Sequence, residues 1–546
     1  MMRLCFFLHI LLSSMLPTTA QTYNFNFGYP MDRSIVVTGN YGELRPNHFH
    51  AGLDFSTDPT KHLPLKSVAD GYVSRIKISS GGYGKVLYVT HANGFVSVYA
   101  HQQVYAPKID SYVKQKQTEL QKNELEIYPT AAELPIKKGE IIGYSGNSGS
   151  SSAPHLHFEI REEKSEIPIN PLLVYPVMDD IKPVISQLAI YNTSDTTSIN
   201  VQLIEVVKNT KEGLALPKQI ITLAQNCFAV GFSGFDQANG GLNKNNIYEA
   251  KLLLDNTLIY HHQLNNISFD NGRYVNVFSE KVNNQKIQKC FTPSCHNIAI
   301  YKTLSNNGRI VLTDTLPHRI ELIVNDERGN TNSVSFNVKT KKLNGYVMST
   351  KKYNAFCNKE FNTKTENVEV TIPAGTLTHS SLVGIYYNQL GKLVVGDKNE
   401  NLMNAYTIKV KVPTPLKGKE KQLVLTYGNN NCLTGKYENN WFITESKAFG
   451  SFAIDYDSIA PKMIQLHAAS KKKGKTPTNH SNTLRVKVSD NLSGIGDYHV
   501  YMNNTWTIAE YDAKTSTISC EIAPNTTSIS VDVIDRVGNK STLKVR

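Results

Sequence analysis

Two short segments of the chain carry residue types that bind metal ions. The first is His50-Ala51-Gly52-Leu53-Asp54, and the second is His155-Leu156-His157. Together they supply three imidazoles and one carboxylate, and a catalytic zinc ion takes three protein ligands while a fourth position stays open to water. The candidate donors are one more than such an ion needs, so one histidine is free for acid–base chemistry.

The second segment is predicted to be a β-strand. His155 and His157 are two residues apart, and on a strand this spacing places both side chains on the same face. Glu159 follows on that face. It either orients a metal ligand through a hydrogen bond or is a solvated strand residue, and the sequence leaves both readings open.

The first segment is predicted to be a strand that enters a bend. His50 and Asp54 are four residues apart with Gly52 between them, and this arrangement suits a bend better than a helix. His101 closes a further predicted strand that begins near Phe95. It is a fifth polar group that could enter the same cleft.

Residues 21–175 read as short strands broken by glycine turns. Residues 86–91 and 95–101 flank Ala92-Asn93-Gly94, which is a hairpin signal. Residues 102–135 break the pattern, because four apolar residues recur there at helical spacing in a polar stretch. We predict a helical insertion between two strands, which narrows access to the cleft or docks a partner; a tolerated surface loop is the alternative.

The rest of the chain shows alternating segments with Asn, Thr and Ser turns. A proline-led strand (Ile181-Lys182-Pro183) and a D-x-x-G-N turn (Asp326 to Asn330) bracket one region, and Ile459-Ala460-Pro461 and Asp535 to Asn539 bracket another. This weak repeat predicts two β-sandwiches of immunoglobulin type over residues 176–341 and 456–546. Residues 342–455 between them form a third β-rich region. The fold class is therefore all-β and mainly antiparallel.

The first twenty residues predict export. Arg3, an apolar run and a small-residue end at residues 18–20 form a secretory signal with cleavage before Gln21. The apolar run is too short to span a bilayer, and no later stretch is apolar enough to be a transmembrane segment. We expect an exported protein of the periplasm or cell envelope, or a secreted one.

The charge of the chain limits its possible binding partners, and the cysteines limit its possible disulfides. The 546 residues carry a net charge of +12, which draws an exported protein to anionic envelope polymers, although lysines scattered over solvated faces explain it equally well. The densest basic run, Lys471-Lys472-Lys473-Gly474-Lys475, has no interleaved aromatic residues, so nucleic acid is not a predicted partner. Cys290 and Cys295 are close enough to pair, with free buried thiols as the alternative.

Six blocks in the first third of the chain resemble, in order, those of the M23 zinc metallopeptidases, the lysostaphin/LytM-type endopeptidases. The blocks cover about residues 27–175 and are Asn47 to Phe55, Ala69 to Val73, Gly82 to Val86, Tyr99 to His101, Lys138 to Gly146 and His155 to Glu159. The resemblance implies a small antiparallel β-sheet with a metal at the floor of a groove. It implies zinc ligands at His50, Asp54 and His157, and unliganded active-site histidines at His101 and His155.

The leading hypothesis is an exported zinc endopeptidase that cuts peptide crosslinks of bacterial peptidoglycan, and this substrate class comes from the resemblance. Two alternatives stay open. One is a non-catalytic scaffold that binds peptidoglycan or activates another hydrolase, and the other is a peptidase that acts on proteins. In each case the β-domains after residue 176 are expected to contact wall polymer, other envelope proteins or the enzyme itself.

Overall fold

The computed structural model describes residues 25–545 with interruptions. The described ranges are 25–175, 177–192, 201–209, 213–218, 220–292, 295–296, 298–341, 343, 353–429, 431–466 and 482–545. The predicted signal at 1–20 and the lysine run at 471–475 lie outside them. The described chain is built from mainly antiparallel sheets, which confirms the predicted fold class.

The N-terminal domain contains fourteen strands and one α-helix. In chain order they are β1 (Val37–Gly39), β2 (Leu44–Arg45), β3 (His48–Phe49), β4 (Leu53–Ser56), β5 (Pro64–Lys66), β6 (Gly71–Ile78), β7 (Lys85–His91), β8 (Phe95–Ala100), β9 (Val104–Tyr105), α1 (Pro107–Leu120), β10 (Leu125–Ile127), β11 (Pro135–Ile136), β12 (Ile141–Tyr144), β13 (His155–Glu162) and β14 (Pro168–Ile169). A short 3₁₀ turn, Pro171–Leu173, follows.

One twisted sheet carries the site. Its strand order is β1-β4-β13-β8-β7-β6-β10, with β11 on β6 and β14 on β13. The predicted hairpin is present as β7 and β8, which pair antiparallel. Strand β13 lies between β4 and β8, so the two metal-binding segments and the end of β8 are neighbours although they are far apart in sequence.

The insertion is helical over part of its length. Helix α1 begins after Ala106 with Pro107 in its first turn, where a missing N–H costs nothing. Its buried face presents Ile109 and Val113 to the core, whereas Leu120 is exposed. The chain then returns to the sheet, because β10 pairs with β6. The helix is therefore shorter than the predicted insertion, which also adds an edge strand.

The second region, residues 177–341, packs two sheets face to face. One sheet has six strands and the other eight, and the strands are β15 (Val184–Asn192), β16 (Val201–Glu205), β17 (Val207–Asn209), β18 (Gly213–Ala215), β19 (Ile220–Leu223), β20 (Cys227–Phe235), β21 (Glu249–Leu254), β22 (Thr257–Gln263), β23 (Ser279–Val282), β24 (Gln285–Lys289), β25 (Tyr301–Leu304), β26 (Arg309–Val311), β27 (His318–Asn325) and β28 (Thr331–Thr340). Helical turns Phe269–Tyr274 (3₁₀), α2 (Val275–Phe278) and Ser305–Gly308 (3₁₀) complete it. Strands β18 and β19 pair parallel to β28.

The third region, residues 353–457, consists of two five-stranded sheets. Its strands are β29 (Phe361–Lys364), β30 (Val368–Ile372), β31 (Ile385–Tyr387), β32 (Leu393–Val395), β33 (Asn401–Lys411), β34 (Leu423–Tyr427), β35 (Asn431–Thr434), β36 (Lys436–Glu438), β37 (Trp441–Ala448) and β38 (Gly450–Tyr456), with 3₁₀ turns at Thr414–Leu416 and Glu420–Gln422.

The C-terminal region, residues 458–545, has two four-stranded sheets. Its strands are β39 (Lys462–Gln465), β40 (Thr483–Ser489), β41 (Ile495–Met502), β42 (Thr505–Thr507), β43 (Glu510–Asp512), β44 (Thr517–Glu521), β45 (Ile529–Asp535) and β46 (Lys540–Lys544). The immunoglobulin-type assignment of this region and of the second region stays a prediction, as do the domain boundaries. Among the described residues, no helix is long and apolar enough to cross a membrane.

The N-terminal core continues into the second region. Its apolar cluster includes Tyr248, Leu264, Tyr274 and Phe278 beside Phe55 and other residues of the first domain. The first two regions therefore share one continuous hydrophobic core.

A disulfide ties the second region to the third. It joins Cys295 to Cys357. Cys290 is buried and free, so the predicted pairing of Cys290 with Cys295 is wrong. The alternative for Cys290, a free buried thiol, is correct. A contact distant in sequence decided the pairing, which chain spacing alone could not reveal.

Candidate metal centre

Strand register brings the two metal-binding segments together. In the pairing of β13 with β4, His157 stands opposite Asp54. On its other side His157 stands opposite Ala100, the last residue of β8, so His101 follows directly beside it. His155 and His157 share one face of β13, as their spacing predicted.

His50 reaches the centre because the chain bends at Gly52. A Cβ at this position would lie 2.3 Å from the carbonyl oxygen of Phe158, a separation that no side chain tolerates. Glycine therefore permits the close approach of the bend to β13. The predicted strand entering a bend is present, since β4 begins one residue after Gly52.

Three ligand atoms converge on one point. The Nε2 atom of His50 lies 2.9 Å from Nδ1 of His157. Asp54 Oδ1 lies 2.9 Å from His157 Nδ1 and 3.1 Å from His50 Nε2. In a tetrahedral zinc site with bonds of about 2.0–2.2 Å, neighbouring ligand atoms are roughly 3.4 Å apart, which is close to this spacing. All three residues are buried.

Hydrogen bonds behind the ligands fix which nitrogen faces the centre. His50 Nδ1 lies 2.7 Å from the carbonyl oxygen of Asn40. Because a carbonyl oxygen can only accept a hydrogen bond, Nδ1 carries the proton and Nε2 carries a free lone pair. His157 Nε2 lies 2.8 Å from Glu159 Oε1, so it donates and Nδ1 is the free lone pair. Two nitrogen lone pairs and a carboxylate oxygen thus point at one another, an arrangement that requires a proton or a cation between them.

Glu159 is part of the centre's support. Its side chain is fully buried, accepts a hydrogen bond from Tyr83 at 2.5 Å and pairs with Arg161 at 2.6 Å. The solvated-residue reading of Glu159 is therefore wrong. Orientation of a ligating histidine by a carboxylate is the usual arrangement at protein metal sites. Sequence reasoning missed Tyr83 and Arg161, because neither lies at a ligand spacing.

Arg45 is a third residue that sequence reasoning missed. Its guanidinium pairs with the outer carboxylate oxygen of Asp54 and, at 3.0 Å, with Glu43. This contact leaves Oδ1 of Asp54 to face the histidines. A strand of two residues, β2, carries Arg45, and so short an element gives no periodic signal.

The electrostatics of the cluster favour a cation. Burial opposes ionisation of Asp54, yet the neighbouring imidazoles of His50, His155 and His157 hold its pKa well below the usual range. In the absence of a cation, a proton on Nδ1 of His157 occupies the same point: burial acts against this second proton, but hydrogen bonds to Asp54 and Glu159 outweigh burial and raise the pKa of His157 to about 9. The pocket therefore stabilises positive charge at the point where the three ligand atoms meet.

His101 and His155 stand beside the ligand atoms and are held at their Nδ1 atoms. His101 Nδ1 lies 2.9 Å from the carbonyl oxygen of Ser148, and His155 Nδ1 lies 2.8 Å from that of Ala153. Both imidazoles therefore keep Nε2 as an acceptor. The ring centroids are 4.7 Å apart. Burial and the neighbouring charges of His157 and His155 lower the pKa of His101 to about 3.

Two features mark these histidines as strained or unsatisfied. His101 has a φ of 58°, a left-handed conformation that costs a non-glycine residue about 1–3 kcal/mol and clusters at functional sites. The Nε2 atom of His155 is buried without a hydrogen-bond partner in the described part of the chain, and Asp54 Oδ1 lies 3.4 Å away. An orphaned acceptor beside three converging ligand atoms fits a metal-bound site.

The other histidines of the domain lie outside the cluster. His48 is exposed and contacts the carbonyl of Pro46, and His62 contacts that of Ser145. His91 is buried and contacts Asp70 and Ser97 instead of forming part of the surface. None of the three belongs to a metal-capable group among the described residues.

The rim of the site touches the C-terminal region. The loop that holds His101 and His155 offers its carbonyl oxygens at Asn147 and Ser151 to the ammonium of Lys514, the latter at 3.2 Å. From the insertion, Asn123 hydrogen-bonds the backbone of Tyr498 and Ala509, each at 2.8 Å. A cleft of about 520 Å³ lies between these elements. The insertion thus docks the chain's own C-terminal region.

Comparison with known proteins agrees with this geometry. The model of peptidase family M23 matches residues 48–118 and 126–171, which include all five clustered residues. A Zu5-like domain model matches residues 352–457, which is the third region. The N-terminal domain of the chain therefore matches peptidase family M23 over residues 48–118 and 126–171.

Individual relatives match the same part of the chain. The DD-carboxypeptidase/endopeptidase Mpg of Neisseria meningitidis serogroup B is 30% identical over 23% of this chain and 22% of its own length. An uncharacterized metalloprotease of Haemophilus influenzae is 31% identical over 27% of this chain and 26% of its own length. The catalytic domain of the prophage-encoded M23 protein EnpA from Enterococcus faecalis is 25% identical, with coverage of 27% and 92% and a TM-score of 0.19. The chain thus spans about a quarter of the length of these two curated relatives.

Proposed function

We propose that this protein is an exported zinc metalloendopeptidase that hydrolyses peptide crosslinks of bacterial peptidoglycan. The convergence of the lone pairs of His50 and His157 with the carboxylate of Asp54 carries the proposal. Mixed nitrogen and oxygen donors in a three-ligand set suit catalytic zinc. Zinc bound there would supply Lewis-acid chemistry, lowering the pKa of a water from 15.7 to about 7 and polarising the scissile carbonyl.

The two remaining histidines supply the proton chemistry. With Nδ1 held by a backbone carbonyl, each presents Nε2 to the cleft, where it accepts a proton from the attacking water or, once protonated, donates one. One imidazole takes the proton of the attacking water and passes it to the leaving amine. The other hydrogen-bonds the developing oxyanion when it carries a second proton, on Nε2. Either assignment of His101 and His155 is compatible with their positions, and both histidines are required.

Three observations support the cell-wall substrate and export. The relative from Neisseria is named a DD-carboxypeptidase/endopeptidase, which supports extending hydrolysis of peptidoglycan peptides to this chain. The Cys295–Cys357 disulfide suits an oxidising compartment outside the cytosol. A net charge of +12 favours association with an anionic wall polymer.

The retention of the whole site supports catalysis over a scaffold role. A scaffold that only binds wall polymer has no need for a strained His101 or for the buried pair of Glu159 and Arg161 behind a ligand. Both cost stability unless the centre is used.

The test is digestion of purified, directly crosslinked sacculi by the mature full-length protein. An Asp54→Ala variant removes the carboxylate ligand, and His48→Ala serves as the matched control because His48 is exposed and outside the cluster. New free amines from the native protein and His48→Ala, and none from Asp54→Ala, are expected. Release of amines by all three proteins, or by none of them with zinc bound, would contradict the proposal.

A further inference from the structure

Two groups of aspartates recur at corresponding positions in the second and C-terminal regions. Asp179, Asp236 and Asp326, called the junction triad here, offer oxygen atoms that all lie within 4.8 Å of one another. The distal triad, with the same spacing limit, is Asp457, Asp490 and Asp535. In each triad one aspartate precedes the proline-led strand, one follows a strand, and one opens the D-x-x-G-N turn.

The junction triad and the neighbouring Asn245 contain side-chain oxygen atoms that have no hydrogen-bond donor among the described residues. Asp236 and Asn245 are each only 4% exposed, and Oδ1 of each has no hydrogen-bond partner among the described residues. The two residues are paired backbone to backbone, so their side chains emerge side by side. Burying an unpaired acceptor costs about 1–3 kcal/mol, and two such residues lining one small cavity indicate a missing partner that accepts their lone pairs.

The surroundings of these atoms are negatively charged. Asp179, Asp236, Asn245 and Glu327 line one small cavity, of about 10 Å³, the room of a single water-sized sphere. Arg328 is the one basic residue of that lining, and its guanidinium donates to the carbonyl oxygens of Leu172 and Tyr175. No ion pair therefore neutralises the carboxylates within the described lining.

The cost of this charge is visible in the acids themselves. Burial, together with the charges of Glu327, Asp326 and Asp179, raises the pKa of Asp236 to about 8. Burial raises the pKa of Glu327 to about 7. Carboxylates crowded in a buried site resist ionisation unless a cation joins them.

We propose that the junction triad binds one calcium ion, with the carboxylates of Asp179, Asp236 and Asp326 and the side-chain carbonyl of Asn245 as ligands. The donors are all oxygen, which selects a hard cation and disfavours zinc. Calcium accepts six to eight oxygen ligands in irregular geometry, including carboxylates and amide carbonyls. In the distal triad Asp490 is partly exposed, and we assign no ion to it.

The position of the triad gives the ion a structural consequence. Its cavity is also lined by Val37, Asn40 and Leu172 of the N-terminal domain. Asn40 is the residue whose carbonyl oxygen holds His50. A calcium ion at this junction would stiffen the contact between the first two regions. Asn40, which holds the proposed zinc ligand His50, is part of that contact.

The experiment uses the full-length protein, stripped of divalent ions and reloaded with one equivalent of zinc. Calcium chloride is titrated by calorimetry while the melting temperature is followed. Asp236→Asn is the test variant, and Asp270→Asn, an exposed aspartate of the same region, is the matched control. At calcium 100-fold above the dissociation constant, the native protein and the control are expected to gain roughly 5 °C.

The difference in melting temperature between Asp236→Asn and the native protein, measured with and without calcium, distinguishes an ion site from a structural cluster of acids. Without calcium, Asp236→Asn is expected to melt higher than the native protein at neutral pH, because burial of the amide avoids the cost of protonating a carboxyl group whose pKa is raised in the folded state. With calcium the order reverses, and the calcium affinity of the variant is at least about tenfold weaker. Equal calcium affinity and equal thermal gain in native protein and Asp236→Asn would overturn the proposal. A thermal gain with magnesium chloride and none with calcium chloride would overturn the choice of calcium. These readouts do not use peptidase activity, so they are independent of the proposed function.

Discussion

The histidine centre of the N-terminal domain and the junction triad are both buried clusters of ligand atoms, but their chemistry differs. The first mixes two imidazole nitrogens with one carboxylate oxygen and has two further histidines standing over it. The second offers only oxygen atoms and is closed by the contact between two regions. Under the two proposals, the donor set separates a site suited to catalytic zinc from one suited to a structural calcium ion.

The two clusters are also carried by different kinds of backbone element. Three neighbouring strands of one sheet, β4, β13 and β8, fix the histidine centre by register. Strand ends and turns supply the junction triad, and residues from both sides of the junction enclose it. The geometry of the histidine centre thus depends on the register of one sheet, whereas that of the junction triad depends on how the two regions meet. Substitutions can test each dependence separately.

The largest effect is expected when one ligand is removed from each cluster in turn and the binding of both ions is compared. Asp54→Ala should abolish zinc binding and reduce peptide cleavage at least about 1,000-fold, because the open ligand set loses its only carboxylate. Its calcium affinity should stay native. Asp236→Asn should show the opposite loss, with one zinc retained. Metal content by mass spectrometry and the cleavage rate decide this, and a variant that loses both ions would break the separation.

The next effect concerns the two unliganded histidines. His101→Ala and His155→Ala should each lower kcat by about 100- to 10,000-fold while one zinc stays bound, since each removes proton transfer or oxyanion stabilisation and no ligand. Zinc content measured beside the kinetics distinguishes this from loss of the metal. Retention of full activity in either variant would remove that histidine from the catalytic account.

A smaller effect is expected from the support of His157. Glu159→Gln keeps the size of the side chain but removes the charge that holds His157 and Arg161, so zinc affinity should fall roughly 10- to 100-fold. The melting temperature should also fall, because Arg161 loses a buried counter-charge. Competition with a zinc chelator measures the affinity. Glu162→Gln, at the exposed end of the same strand, is the control and should leave it unchanged.

The junction itself can be weakened without touching either ligand set. The side chain of Asn40 donates to the carbonyl of Asn246 at 2.8 Å and accepts from its amide at 3.0 Å. Asn40→Ala should lower the free energy of unfolding by about 1–3 kcal/mol. It should weaken zinc binding only a few-fold. Asn276→Ala, which removes an exposed contact with Asn47 across the same junction, should have little effect on denaturant unfolding.

The smallest effect is expected at the rim. Lys514→Ala removes the ammonium that caps the carbonyl oxygens of the loop holding His101 and His155, and exposed contacts of this kind contribute about 0–1 kcal/mol. A change in kcat of up to about fivefold is therefore expected. Lys544→Ala, on the exposed last strand of the C-terminal region, should leave kcat unchanged. A loss of several hundredfold would show that the C-terminal region supplies part of the active site.

Much of the centre could be predicted from the sequence because its residues lie on strands with fixed alternation. The spacing of His155 and His157 and the bend at Gly52 indicated which side chains share a face, and ordered blocks around them indicated the family. Arg45 and Asn40 could not be found this way. Both act through contacts with other segments, from a short strand and from a turn, where neither periodicity nor a motif marks them.

The rest of the fold was predicted less completely for the same physical reason. Long alternating segments indicated sheets, and the repeated D-x-x-G-N turn indicated corresponding regions. The pairing of Cys295 with Cys357, the docking of Asn123 on the C-terminal region and the meeting of three aspartates at one junction all join residues far apart in sequence. Such contacts cannot be predicted from local composition, because they form only when whole sheets pack against one another.

The most direct test of the zinc peptidase is a titration of zinc into the chelator-stripped full-length protein, with cleavage of a crosslinked wall peptide as the readout. The account predicts no cleavage at the start, a rate that rises linearly, and saturation at one equivalent of zinc. Asp54→Ala should stay inactive throughout. Cleavage by the stripped protein, or one equivalent of bound zinc without any cleavage, would contradict it.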